Sequence, residues 1–280
     1  MTRGLSPALR VAMIAVFVFL YAPMLLLVIY SFNESRLVTV WAGFSTRWYG
    51  ELFRDRQMMS ALWVSLRVAS MAATTAVVLG TLAAIALTRL GPFRGRGAFG
   101  MLVTAPLLIP EVITGLSLLL LFVAMGQLIG WPAERGMLTV WIAHVTFATA
   151  FVTVVVAARL AQFDRALYEA ALDLGATPFR AFAQVVLPVI APALGAGWLL
   201  AFTLSLDDLV IASFTSGPGA TTLPMVVFSS VRLGVSPKVN ALATLLMAFV
   251  LLAALLSWWL MRRRASAGAA MVSPGNMSRR

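Results

Sequence analysis

Backbone amides cannot be left unpaired in hydrocarbon, so a chain with repeated apolar runs of about 20 residues or more has few options besides a set of membrane-crossing helices. This sequence carries such runs at about 11–30, 61–87, 98–125, 137–158, 189–214 and 240–261. At about 1.5 Å per residue, each is long enough to cross roughly 30 Å of hydrocarbon. The first, Val11 to Tyr30, is too long for the core of a typical signal peptide and no small-residue cleavage site follows it, so it is expected to be retained. The predicted fold class is an all-α integral membrane protein with six transmembrane helices over 11–261. A short tail is expected at 1–10, and a polar, disordered one at 262–280 after Arg262, Arg263 and Arg264.

Composition supports this reading and narrows the chemistry. The chain is 61% hydrophobic and 11% charged, whereas a soluble domain is roughly half apolar and a quarter charged. With no cysteine, disulfides, thiolate chemistry and cysteine-ligated metal are excluded. A net charge of +11 does not make a nucleic-acid surface here, because the basic residues sit in short loops and tails between apolar runs. Their distribution instead sets topology. Arg3, Arg10, Arg89, Arg94, Arg96, Arg159, Arg165, Arg180 and the arginines after residue 261 fall on one side, and fewer basic residues fall in the opposite loops. The positive-inside rule places both termini, and the segment 159–188, in the cytoplasm.

The connections carry their own signals. Trp41, Trp48 and Tyr49 in the loop from Ser31 to Ser60 predict a segment lying at the headgroup boundary. Pro106 and Pro110 within the third run predict a kink or a discontinuity, because each removes a backbone donor. The lone histidine, His144, is expected to hydrogen-bond a neighbouring helix, since a metal would need more ligands than the chain places nearby. In the loop from Thr215 to Val239, a short apolar piece, Leu223 to Phe228, is expected to dip into the interface.

Between the fourth and fifth runs lies EAALDLGATPFRAFAQVVLP, Glu169 to Pro188. Leu167, Ala170, Ala171 and Leu174 recur at helical spacing, while Arg165, Glu169 and Asp173 fall four apart on another face, which makes an amphipathic helix. Gly175 is suited to close it in a left-handed conformation, and Thr177 with Pro178 supplies a cap and a first-turn proline for a second short helix. Pro188 is read as the end of that second helix and the start of a span. Glu169, Ala170, Ala171, Gly175, Leu187 and Pro188 stand in the register of the signature loop of ABC importer permeases, which this stretch resembles; Val185 replaces a usual isoleucine. The resemblance implies a type I ABC importer permease fold, and it implies that this loop is a coupling helix docking on a cytoplasmic ATPase. No catalytic residue is implied.

The chain holds no ATPase of its own. A phosphate-binding loop needs Gly-Lys-Ser/Thr opening a helix, and the sole lysine, Lys238, stands between Pro237 and Val239. Nor is there a local nucleophile and base pair that would mark an enzyme. The runs from Tyr30 to Phe53, Ala105 to Phe122 and Ala201 to Arg232 are similar to polyamine-importer permeases, and among them to the second permease subunit of putrescine importers. That likeness implies an inner-membrane assembly with a second, different permease, a pair of ATPase subunits that bind ATP and Mg²⁺, and a periplasmic binding protein delivering the polyamine. No cofactor or metal is expected in this chain. Spermidine stays open beside putrescine, and the alternatives are an ABC permease for another small solute, an ion-coupled secondary carrier or a membrane scaffold. Internal repeats would favour a carrier, and none is found.

Three acids fall inside the spans: Glu111, Asp207 and Asp208. Counted from Pro188, the aspartates lie about 28 Å along the fifth helix, and Glu111 lies roughly 18 Å into the third. An ionised group at mid-membrane costs at least about 2.5 kcal/mol, so such groups are paired or line a polar cavity. A substrate with two ammonium groups would supply the counter-charge, and the acids are candidates for its path. The structural alternatives are local capping or pairing, with Arg232 for an aspartate and with the backbone freed by Pro110 for Glu111. Neighbouring residues point about 100° apart, so one aspartate is expected to face the path and the other to pack. The stripe Trp198, Ala201, Ser205, Asp208 and Ala212, small or polar apart from its tryptophan, tilts the choice to Asp208.

Overall fold

The computed structural model describes residues 6–37, 40–233, 236–252 and 255. The C-terminal tail expected at 262–280, the arginines expected to end the sixth span, and most of that span's last third lie outside the described residues. Those described are mainly helical and contain no β-strand, only an isolated bridge between Asn33 and Phe44.

Five helical stretches are long and apolar enough to cross a membrane: Pro7–Ser31, Arg56–Arg89, Glu111–Ile129, Met137–Ala161 and Pro178–Asp207. We label the first four α1, α3, α5 and α6. A shorter apolar helix, Pro237–Leu252 (α12), occupies the described part of the sixth run. The chain divides into two compact units, residues 1–55 with 230–280, and residues 56–229.

In the first unit, α1 starts earlier than the apolar run. The Ser6 hydroxyl accepts from the Leu9 amide at 3.4 Å and Pro7 takes the first turn, where its missing N–H costs nothing. The loop after α1 is built on Asn33, which is fully buried. Its amide nitrogen donates to the Val40 carbonyl at 2.7 Å, and its side-chain oxygen accepts from the Ala42 amide at 3.0 Å. The following helix, α2 (Arg47–Arg54), carries Trp48, which was expected at the headgroup boundary. It is instead buried, with its indole N–H donating to the Asn33 carbonyl at 2.6 Å. Tyr49 likewise bonds Ser31 at 2.7 Å. Both are internal fasteners of this loop because each ring finds a polar partner within it, while Trp41 stays about half exposed. An ion pair of 3.2 Å joins Lys238 at the start of α12 to Asp55. It is partly exposed, so about 1 kcal/mol is its ceiling.

The second unit is centred on α3, α6 and α9 (Leu187–Asp207). Lipid gives no hydrophobic drive between helices, so close packing of small residues has to supply it. Along α3, Ala69, Ala72, Ala73, Ala76 and Ala84 are buried, and a Cβ on Gly80 would come within 2.8 Å of the Val152 side chain of α6. Val152, Val156, Leu160, Ile190 and Ala201 complete this core.

The third run is discontinuous. A short helix α4 (Arg96–Thr104) gives way to a 3-10 turn at Ala105–Leu107, and α5 begins afresh at Glu111. Pro106 and Pro110 cannot donate, and the amides of Leu108 and Ile109 both turn onto the Ala105 carbonyl, so the α-helical ladder cannot run through. The apolar piece at Leu223 opens a helix of its own, Leu223–Leu233 (α11). Its first amide is satisfied by Ser65 of α3, whose hydroxyl accepts from the Leu223 N–H at 2.7 Å.

Candidate functional site

The amphipathic segment after α6 folds as two helical pieces around a hinge. Asp164 caps α7 (Arg165–Asp173) by accepting from the Ala166 amide at 2.9 Å. At its far end the Ala176 amide donates to the Ala171 carbonyl at 3.0 Å, and the Gly175 amide to the Leu172 carbonyl at 2.9 Å. That pair of bonds is a Schellman closure, and it needs the left-handed φ of +84° that Gly175 adopts. Thr177 then caps α8 (Pro178–Ala181), its hydroxyl accepting from the Arg180 amide at 3.4 Å.

Pro188, expected to end the second helix, does not. Helix α8 continues through a π-helical turn, Phe182–Val186, directly into α9, so Pro178–Asp207 is one stretch. The Leu187 amide reaches back to the Phe182 carbonyl. This wider turn re-routes the ladder just where Pro188 brings no donor, which lets the proline sit inside the helix.

The two faces of α7 have different surroundings. Tyr168 and Leu172, with Arg165 and Glu169, line a cavity of about 500 Å³ whose other walls include Arg89, Leu160 and Phe182. Arg89, at the end of α3, holds that floor by donating to the Leu160 carbonyl at 2.6 Å and lying over the Phe163 ring at 5.0 Å. The opposite stripe faces out. Leu167 is 52% exposed, Leu174 89%, and Phe179 on α8 79%. Of the signature residues, Glu169 and Ala170 are exposed on α7, Ala171 and Gly175 build the turn, and Leu187 and Pro188 form the junction between the π turn and α9.

The fifth run is also broken. Helix α9 ends at Asp207, Asp208 is extended with ψ 121°, and a six-residue helix, α10 (Val210–Thr215), follows. Asp208 is the cause: its two carboxylate oxygens accept from the Ile211 amide at 3.2 Å and the Ala212 amide at 2.7 Å, capping α10. Asp208 is 8% exposed and lies against His144 of α6, whose Nε2 is 3.1 Å from its Oδ2. The approach is too oblique to count as a hydrogen bond, so it is a close polar contact. The other ring nitrogen, Nδ1, is 2.6 Å from the Ser205 hydroxyl of α9. His144 thus bonds a neighbouring helix, as its solitary place in a span predicts.

One aspartate is exposed and the other packs, but it is the break after Asp207 and not a helical offset that separates them. The packed one is Asp208, opposite to the tilt taken from the small-residue stripe; Asp207 is exposed. Ala201, Ser205 and Ala212 on that stripe are buried with Asp208, and Trp198 donates to Thr74 of α3 at 3.1 Å. Small residues are what close helix packing needs, so the stripe is an internal seam. Glu111 is exposed at the first position of α5. Ser205 was missed as a partner in this cluster, although a serine three residues before an intramembrane aspartate is a readable sign of one helix face.

Residues 76–265 match the family model described as binding-protein-dependent transport system inner membrane component. The putrescine transport system permease protein PotI of Escherichia coli (strain K12) is 64% identical over 253 residues, covering 90% of each chain. The spermidine/putrescine transport system permease protein PotC of the same organism is 40% identical over 235 residues, 84% of this chain and 86% of that one. Among solved structures, a bacterial ABC transporter involved in the import of the acidic polysaccharide alginate superposes with a TM-score of 0.72 at 20% identity, covering 92% of this chain and 94% of that chain.

Proposed function

From the premise that the chain belongs to the binding-protein-dependent transport system inner membrane components, a multi-pass inner-membrane family of ABC importer permeases, we propose that it is the permease subunit of an ATP-driven polyamine importer. Putrescine is the first choice of substrate. The observation that carries this reading is the 64% identity to a putrescine permease along 90% of both chains, against 40% to a spermidine/putrescine permease. The assembly would contain a second, different permease, a pair of ATPase subunits holding ATP and Mg²⁺, and a periplasmic binding protein. This chain would supply a path and a docking loop, and no catalytic group.

The geometry gives each part a physical basis. The exposed Leu167, Leu174 and Phe179, with Ala170, offer apolar surface suited to cover by a partner protein, and Glu169 stands exposed at the rim of the cavity on the other face of α7. The Schellman closure and the Thr177 cap fix the two helical pieces relative to each other, so a push on α7 is carried through the π turn into α9. Asp207 at the far end of α9 and Glu111 at the start of α5 are exposed carboxylates that could be offered to a dication. Ionised acids in a span are stabilised by a counter-charge, and a diamine would bring two.

The test is uptake of radiolabelled putrescine in cells lacking only this chain, with competing diamines and polyamines. Loss of uptake, restored by the chain and inhibited best by putrescine, supports the reading. Undiminished putrescine uptake in the deletion strain, with another solute affected, contradicts the substrate.

A further inference from the structure

Helix α10 is too short to hold its own place. Six residues make about 9 Å of helix, with most of its terminal amides and carbonyls unpaired within it. The structure satisfies them from α6, from the loop just before it and from Asp208. At the C-terminal end, the Thr139 hydroxyl donates to the Thr215 carbonyl at 2.7 Å, and Arg135 donates to the Phe214 carbonyl at 3.2 Å. At the N-terminal end, the capping acid Asp208 rests on His144. Thr139 and His144 are about 7.5 Å apart along α6, which matches the span of α10. On its other side α10 meets α5 at Gly115, where a Cβ would come within 2.7 Å of the Phe214 ring and 3.3 Å of the Ile211 Cα.

His144 touches both sides of the break. It meets Ser205, in the last turn of α9, and Asp208, the residue that leaves the helix. The Nδ1 contact with Ser205 is a hydrogen bond, and the Nε2 contact with Asp208 is a close polar approach. Serine, histidine and aspartate in contact resemble a nucleophilic arrangement, but all three are buried, at 6%, 2% and 8% exposure, and the aspartate is already used as a cap. Their placement serves geometry.

We infer that His144 is a positioning residue for the cation path: by joining Ser205 to Asp208 across the end of α9, it fixes the break that sets the direction of the Asp207 carboxylate. This rests on the reading of Asp207 and Glu111 as path residues, and the experiment separates the two claims. Because the chain has no cysteine, E111C and D207C are its only labelling sites, and pulsed electron resonance on the importer assembled with cysteine-free partner chains reads their separation directly. His144→Ala is expected to broaden that distance distribution. His144→Gln, which keeps an N–H donor of similar reach, is expected to restore a single narrow one. Ser205→Ala, which removes only the Nδ1 contact, gives an intermediate width and serves if His144→Ala fails to assemble. An unchanged distribution in assembled His144→Ala or Ser205→Ala overturns the inference.

Uptake by the importer with unlabelled chain supplies the functional arm. If His144 acts through Asp207, His144→Ala combined with Asp207→Asn transports no more slowly than Asp207→Asn alone, whereas losses that multiply overturn that route. Wild-type uptake by Asp207→Asn removes the path reading itself, and the label distance then decides on positioning alone.

Discussion

Replacing Gly175 tests the docking loop with little confusion from packing. The residue holds φ at +84°, and a Cβ added there meets nothing within 4 Å. The cost of Gly175→Ala is therefore conformational only, about 1–2 kcal/mol for placing a Cβ in the left-handed region. That energy acts on the two bonds of the closure, Ala176 to Ala171 and Gly175 to Leu172, and so on the population of the bent loop. One to two kcal/mol corresponds to roughly a 5- to 30-fold change in that population. Asparagine tolerates this conformation better than alanine, and a β-branched residue tolerates it worse. Transport-linked ATP hydrolysis by the assembled importer is thus expected to fall in the order Gly, Asn, Ala, Val, with membrane insertion unchanged. Equal activity for Asn and Val, or wild-type coupling in Gly175→Val, would refute the claim that this bend transmits the ATPase stroke.

Glu169→Lys, reversing an exposed charge on α7, is expected to lower binding-protein-stimulated ATP hydrolysis while the chain still inserts, measured in membrane vesicles holding the whole assembly. Gly115→Val forces atoms into the α5–α10 contact and should destabilise by about 1–3 kcal/mol, seen as a lower melting temperature in detergent. Asn33→Ala leaves the Val40 carbonyl and the Ala42 amide without their partner, at roughly 1–3 kcal/mol for each group that stays buried; protease cleavage between α1 and α2 is expected to rise. Asp207→Asn should reduce uptake with unchanged thermal stability, whereas Asp208→Asn, which keeps only one side-chain acceptor for two amides, should lower both.

The sequence carries the spans, the hinge and the caps in plain form, because those depend on local chemistry: apolar length, a glycine able to reach positive φ, Thr177 before Pro178. The discontinuity at Pro106 and Pro110 is legible for the same reason, since a missing donor is a property of one residue. Pro188 shows the limit of that rule. A proline looks like a boundary, yet a π turn absorbs it, and whether the ladder widens is decided by packing of Phe182 and Val186 against the core. Trp48 and Asp208 were misplaced for another reason. An aromatic in a polar loop and a small-residue stripe on a helix each suit two environments, surface or seam. Only the tertiary partners, the Asn33 carbonyl and the amides of α10, decide between them. His144 lies between these cases: its bond to a neighbouring helix is readable, but Ser205 and the break it steadies belong to the assembled structure.

ATP-driven putrescine accumulation in sealed proteoliposomes containing this chain, the second permease, the ATPase pair and the binding protein is the most direct measure of the central claim. The account predicts uptake that requires ATP and the binding protein and persists when ion gradients are collapsed. Uptake that follows an imposed ion gradient and ignores ATP would contradict it.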